Sequence, residues 1–253
     1  MIIASWNVNS VKSRLGHVKD WLEQHHPDVL MLQELKGSEF PVAEFTAIGY
    51  QCEFVAQKSY NGVAILSRHP IEVVSRKLAG DATDTQARYL ETNINDLRVI
   101  NIYLPNGNPV GTEKFQYKLD WMDRFKKRLA SLKKAGIPVI IGGDYNVIPE
   151  DIDCFNPKYW KNDALFQPEP RECYRAYLKM GYIDAFRHFN PEPGQYTFWE
   201  YFRQMFNKNQ GIRIDHFLVS PLLKKRMTGC MIDKEPRARE KPSDHTPIIL
   251  AIK

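Results

Sequence analysis

Cysteine is scarce in this chain: Cys52, Cys154, Cys173 and Cys230 are scattered through 253 residues, with no C-x-x-C pair. That spacing excludes a zinc ribbon and a disulfide framework, and it leaves four small hydrophobes suited to a reducing compartment. Long apolar runs are missing, and no basic segment leading into an apolar stretch opens the chain. A soluble cytoplasmic protein with no membrane partner is therefore expected. A strong charge of one sign is also wanting, since 35 Lys and Arg against 30 Asp and Glu leave only +5. Such a balance admits an anionic partner without demanding one. No low-complexity tract and no Pro/Gly linker divides the sequence, which predicts one domain over residues 1–253.

What is present is an alternation of strand and helix patterns, with 43% hydrophobic residues to fill a core. Met1 to Trp6 reads as a buried strand. Ser10 is placed to cap a helix with the stripe Val11, Leu15, Val18 and Leu22. Asp28 to Gln33, Gly62 to Ser67, Arg98 to Leu104 and Pro138 to Ile141 are further strands. Phe115, Leu119, Met122, Phe125, Leu129 and Leu132 mark a long helix stopped by Gly136, and a second helix is expected around Glu172 to Met180. Asn156 to Pro170 reads as a surface excursion.

Polar clusters stand where strands end, Trp6-Asn7-Val8-Asn9, Gln33-Glu34-Leu35-Lys36 and Gly142-Gly143-Asp144-Tyr145-Asn146, and a fourth, Ser243-Asp244-His245, stands just before an apolar strand, Ile248 to Ile252. A strand end is rigid yet opens on solvent, which is where α/β proteins place their chemistry. Any one of these carboxylates taken alone is a turn or cap residue. Together, rich in Asp, Asn, Glu and His and free of Cys, they describe an oxygen-rich metal site acting on phosphate. A phosphodiester repels nucleophiles, and a hard divalent cation offsets that charge. Glu34 is the principal candidate ligand, with Asn7 and Asp244 beside it. Asp144 and Asn146, two apart, are expected on one face of a strand, one to take or orient a water proton and one to donate to phosphate. Asp215 is the candidate partner that fixes the His245 ring. His17, His25, His26 and His69 read as surface residues.

At these positions the chain resembles the exonuclease III family of abasic-site endonucleases, within the superfamily that includes DNase I. The likeness runs from Ser5-Trp6-Asn7-Val8-Asn9 through Tyr103-Leu104-Pro105-Asn106 and Tyr196-Thr197-Phe198-Trp199 to Arg213-Ile214-Asp215 and Ser243-Asp244-His245. It implies a DNase I-like, four-layer α/β sandwich, two packed mixed sheets flanked by helices. It also implies hydrolysis of duplex DNA 5′ to an abasic site, leaving a 3′-hydroxyl, with 3′-5′ exonuclease and 3′-phosphatase side activities. Magnesium is the implied cofactor, manganese a substitute. Duplex DNA with abasic sites or blocked 3′ ends is the implied partner, met at the nucleoid by a monomer. The resemblance makes Asn7, Glu34 and Asp244 the metal neighbourhood, and Tyr103, Asp144, Asn146, Asp215 and His245 the catalytic set. Lys36, Arg88 and Asn106 become candidate phosphate contacts, Phe198 and Trp199 pocket aromatics, Arg213 a further DNA contact, and Phe202, with Tyr201 and Arg203, a candidate wedge. Ile212 stands where animal relatives carry a pocket tryptophan, and Asn9 where they carry aspartate. A phosphoesterase of the same fold acting on a lipid or inositol phosphate is the competing reading.

Overall fold

The computed structural model describes residues 1–253. Numbered in chain order, Ile2–Asn7 (β1), Val29–Gln33 (β2), Gln51–Val55 (β3), Val63–Ser67 (β4), Met227–Ile232 (β11) and Ile248–Ile252 (β12) form one sheet. Glu72–Ser75 (β5), Tyr89–Ile94 (β6), Leu97–Tyr103 (β7), Val139–Asp144 (β8), Ile183–Asp184 (β9) and Asp215–Val219 (β10) form the other. The helices are Leu15–His25 (α1), Val42–Thr46 (α2), Glu113–Lys134 (α3), Pro157–Trp160 (α4), Pro168–Lys179 (α5), Ala185–Phe189 (α6) and Glu235–Ala238 (α7). None is long and apolar enough to cross a membrane.

Strand periodicity explains the layering. Ile3, Val29, Met31, Val63 and Ile65 face Leu90, Val99, Ile140, Phe217 and Val219 of the second sheet. Their neighbours Ala4, Trp6, Leu30 and Leu32 point the other way onto Val18, Trp21 and Leu22 of α1. On the far side, Ile100, Ile102 and Ile141 pack under Trp121, Met122 and Phe125 of α3 and Tyr174 of α5. Helix, sheet, sheet and helix therefore stack as four layers, each element burying its apolar face against the next.

Each sheet has a parallel pair at its centre, β1 with β2 and β7 with β8, joined by the crossover helices α1 and α3. Parallel pairing sends both C-terminal ends to the same edge. Asn7 is thereby opposite Gln33, and Tyr103 is opposite Asp144. Below that edge a buried polar knot ties the sheets. Asn101 Nδ2 donates across the interface to the Leu32 and Ala64 carbonyls, at 2.9 and 2.8 Å. Gln33 Nε2 donates to Asn101 Oδ1 at 2.8 Å and to Ser5 Oγ at 3.0 Å. Directional hydrogen bonds in a buried interior specify one register, so this knot, in which Gln33 Oε1 alone lacks a partner, helps set the separation of the strand ends above it.

Two expectations need correction. The first helix starts at Leu15 rather than after Ser10, because the chain after β1 stays paired: Val8, Ser10 and Val11 donate to the carbonyls of Gln33, Glu34 and Leu35. The stretch from Asn156 to Pro170 is no loose excursion. Asn156 caps α4, Pro157 opens it, and Trp160, Ala164 and Leu165 are buried.

Candidate active site

Every strand that ends at the shared edge delivers a polar side chain. Asn7 closes β1, Tyr103 closes β7 and Asp144 closes β8. Asp215 opens β10 directly opposite Asp144, and His245 precedes β12 while bridging Phe198. Glu34 follows β2 in the left-handed region at φ 56, a conformation that costs a non-glycine residue energy and is met at functional sites. Close packing of β7 on β8 depends on Gly143, where an added Cβ would lie 2.0 Å from the Ile102 carbonyl.

Glu34, Tyr103, Asp144 and His245 line one cavity of about 280 Å³, with Asn7 and Asp215 bonded behind them. Asn7 Nδ2 donates to Glu34 Oε1 at 2.9 Å and to Asp144 Oδ2 at 3.0 Å. The Tyr103 hydroxyl donates to Glu34 Oε1 at 2.8 Å. His245 Nδ1 is 2.8 Å from Asp215 Oδ2, and because a carboxylate only accepts, that nitrogen carries the proton. His245 Nε2 faces Asp144 Oδ2 at 3.8 Å. Asp244 accepts from Asn9 Nδ2 at 3.0 Å on the solvent side of the group.

Burial sets the electrostatics. It lifts the Asp144 carboxyl well above the usual range; the charges of Asp215 and Glu34 add to this, while His245 opposes. For His245 burial disfavours the cation, yet Asp215, by charge and hydrogen bond, together with Asp144 raises its pKa. Glu34 is also desolvated, but the Lys36 ammonium and the Asn7 amide hold it below its ordinary value. Lys36 Nζ sits 2.8 Å from Glu34 Oε2. Desolvation, then the Glu34 and Asp144 charges, push Tyr103 well up, so its hydroxyl keeps its proton. A carboxyl near its deprotonation point beside a cationic imidazole can exchange a proton with water and donate to an anion.

Asn146 reaches the cavity, but not by strand spacing: β8 stops at Asp144, and Asn146 turns back at φ 47, its N–H donating to Asp144 Oδ1 at 2.8 Å. Asn106 Nδ2 donates to Asn146 Oδ1 at 3.1 Å. Arg88 lies 4.8 Å above the Tyr103 ring and donates to the Tyr103 carbonyl. Phe198 lines the cavity edge-on to His245, with ring centres 5.0 Å apart. Phe202 is exposed at the rim with Tyr201.

Two assigned DNA contacts are core residues instead. Trp199 is fully buried with Tyr196 and Met205, because adjacent residues in extended backbone face opposite ways and Phe198 takes the cavity side. Arg213 is also fully buried, donating to Asp153 at 2.8 Å, Asp184 at 2.9 Å and His216 Nδ1 at 2.8 Å. No surface is left for it to offer DNA.

Sequence reasoning passed over the far wall of the cavity, where Trp160, Asp163, Leu165 and Glu200 stand. Asn156-Pro157 was a signal for it, being a cap followed by a first-turn proline. Lys118 was also passed over, although a lysine between Phe115 and Met122 falls on the buried stripe of α3.

The endonuclease/exonuclease/phosphatase family pattern matches residues 4–245. Exodeoxyribonuclease III of Haemophilus influenzae is 34% identical over 262 residues, covering 98% of each chain. An AP endonuclease from Archaeoglobus fulgidus superposes with a TM-score of 0.96 at 38% identity, covering 100% of this chain and 99% of that one. A Neisseria 3′ phosphatase, solved with a product DNA hairpin, matches at TM-score 0.96 and 36% identity over 100% of this chain and 99% of its own.

Proposed function

This chain belongs to the exonuclease III branch of the endonuclease/exonuclease/phosphatase family, and we propose that it cuts duplex DNA on the 5′ side of abasic sites. It is a DNA-repair nuclease and hydrolase of the exodeoxyribonuclease III type. The finer reading rests on one juxtaposition: Asp215, His245 and Asp144 stand in line beside Glu34 at the mouth of a partly apolar cavity.

The donor set suits a hard divalent cation. Glu34, Asp144 and His245 offer ligand atoms within 4.8 Å of one another, and no thiol is among them. Glu34 would hold the ion, with Asn7 and Asp244 at its edge, and magnesium is the proposed metal with manganese as substitute. Such an ion, when bound, polarises the phosphate and offsets the charge on the leaving oxygen.

The protein's own groups do the rest. Asp144 takes a proton from water as the water oxygen bonds to phosphorus, the bond to the 3′ oxygen breaks, and that oxygen takes a proton from solvent. His245, kept cationic by Asp215, and the Asn146 amide donate to the phosphate oxygens, where negative charge builds. Tyr103, whose hydroxyl retains its proton, stands against Glu34 to orient the phosphate. The products are a 3′-hydroxyl and a 5′ phosphate on the abasic sugar. Phe198, Ile214, Leu165 and Trp160 wall a space that takes a bare deoxyribose and turns away a base, since extrusion costs least where nothing must be unstacked.

The same attack on phosphorus removes a 3′-phosphate or trims a 3′ end, so these are the proposed accompanying activities. Asn106 lines the cavity, Lys36 pairs with Glu34 and Arg88 lies over the Tyr103 ring, and these three would meet backbone phosphates, with Phe202 at the wedge. Residues 1–253 act as one domain and as a monomer in the cytoplasm, on chromosomal DNA. The test is a duplex carrying one abasic analogue, incubated with magnesium and with chelator. A chelator-sensitive nick 5′ to the lesion is expected. No nick, together with turnover of a soluble inositol phosphate, would overturn the reading.

A further inference from the structure

Lys118 sits midway along α3, where the stripe Phe115, Met122 and Phe125 calls for a hydrocarbon. Its side chain is wholly buried. Taking an ammonium out of water is costly, and leucine would fill the stripe without that cost. Burial brings its pKa down to about 7, and in either form the nitrogen keeps N–H donors; the reason for it lies in what it holds. Nζ donates to two main-chain carbonyls, Asn106 at 3.0 Å and Asn146 at 2.6 Å. These belong to the two loops of the site, one leading from Tyr103 and the other from Asp144.

Beyond the Leu104 N–H, which donates to the Asp144 carbonyl at 2.9 Å, the loops are bound to each other through side-chain amides. Asn146 Nδ2 donates to the Leu104 carbonyl at 2.9 Å, and Asn106 Nδ2 donates to Asn146 Oδ1 at 3.1 Å. That count leaves Asn146 one free amide N–H at the cavity. The first loop also folds tightly onto the lysine stem: a Cβ at Gly107, which has φ 88, would lie 2.6 Å from Lys118 Cδ. Lysine, glycine and both carbonyls interlock.

We propose that Lys118 is a positioning residue for phosphodiester hydrolysis, pinning the Asn106 and Asn146 loops so that the Asn146 amide faces the scissile phosphate. This rests on the reading of the cavity as the hydrolytic site. A space-filling role would be met equally by methionine, which matches the stem and lacks the donors.

The experiment compares wild type, Lys118→Met, Asn146→Ala and the double variant on an abasic duplex with magnesium, each first checked by thermal melting. Lys118→Met is expected to lower kcat by ~10–100-fold with KM within ~3-fold, the pattern of an interaction made in the transition state. Because Lys118 acts through Asn146, the double variant should fall no more than ~3-fold below Asn146→Ala alone. A kcat within ~2-fold of wild type, an effect confined to KM, or losses that multiply in the double variant would each overturn the proposal. Should Lys118→Met fail to fold, Lys118→Leu, which fills the stripe without the donors, takes its place and must show the same kcat loss; normal turnover would overturn the proposal equally. Wild type that leaves the abasic duplex intact sinks the functional reading instead.

Discussion

The His245 ring is held between two aspartates of unequal closeness: Nδ1 is 2.8 Å from Asp215, while Nε2 faces Asp144 at 3.8 Å. The short contact fixes the tautomer and the charge, and the longer one leaves room at the catalytic face. Burial disfavours the cation, but the Asp215 charge and hydrogen bond raise the His245 pKa to about 10, so the imidazolium persists through neutral pH. Asp215→Asn removes that charge. We expect kcat to fall by ~100-fold or more, and the remaining activity to decline as pH rises from 7 to 9, where wild type holds steady. A pH–rate profile of unchanged shape would disconnect the pair.

Asp144 predicts the opposite limb. Burial, reinforced by Asp215 and Glu34, raises its carboxyl, and the base form is the useful one. Activity should therefore rise with pH through the weakly acidic range. Asp144→Asn should remove that limb and lower kcat by ~100-fold or more, with folding retained by circular dichroism.

For Glu34 the measurement is metal titration. The carboxylate is held ionised by Lys36 and Asn7, the state a cation needs. Glu34→Gln should raise the magnesium concentration for half-maximal activity about tenfold or more. An unchanged requirement would place the metal elsewhere.

Legibility followed the strand ends. Asn7, Glu34 and Asp144 could be read because each polar cluster follows an apolar run, and parallel strands carry such ends to one edge; His245 could be read because it precedes the apolar β12, which runs antiparallel to β1. Side-chain direction inside Phe198-Trp199 and Arg213-Ile214-Asp215 could not be read so easily. One residue's shift changes the face, and Trp199 and Arg213 fell to the core while their neighbours line the site. The Asp144–Asn146 relation failed for another reason: the strand ends at Asp144, and Asn146 sits in a left-handed turn beyond it. Lys118 was hidden by its company, since its partners are carbonyls and carbonyls have no sequence signal.

Arg213 supplies a prediction from that correction. Arg213→Met leaves Asp153 and Asp184 without their buried guanidinium. A loss on the order of 3–5 kcal/mol is expected, read by urea unfolding. The slope of log KM against log salt should stay as in wild type, because no phosphate contact is lost. A shallower slope would return Arg213 to the DNA interface.

His216, beside Arg213, makes stability depend on pH in a defined window. Arg213 Nη1 donates to Nδ1 at 2.8 Å, and Nε2 donates to the Val147 carbonyl at 3.0 Å, so protonation would set an N–H against the guanidinium. Burial first, then the Arg213 charge, bring the imidazole down to about 4. The unfolded ring titrates near ~6.5, so between those values the unfolded chain binds the extra proton. His216 therefore adds its full stability above about pH 6.5 and loses it as pH falls toward 4, a change of roughly 3 kcal/mol. His216→Gln keeps an acceptor and a donor but does not titrate, and should flatten the decline measured by urea unfolding at pH 7, 5.5 and 4.5. Asp184, held down by Arg213 against the pull of burial, loses its contribution only below about pH 4, so it cannot mimic the effect. Parallel declines in the two proteins would clear His216 of the role.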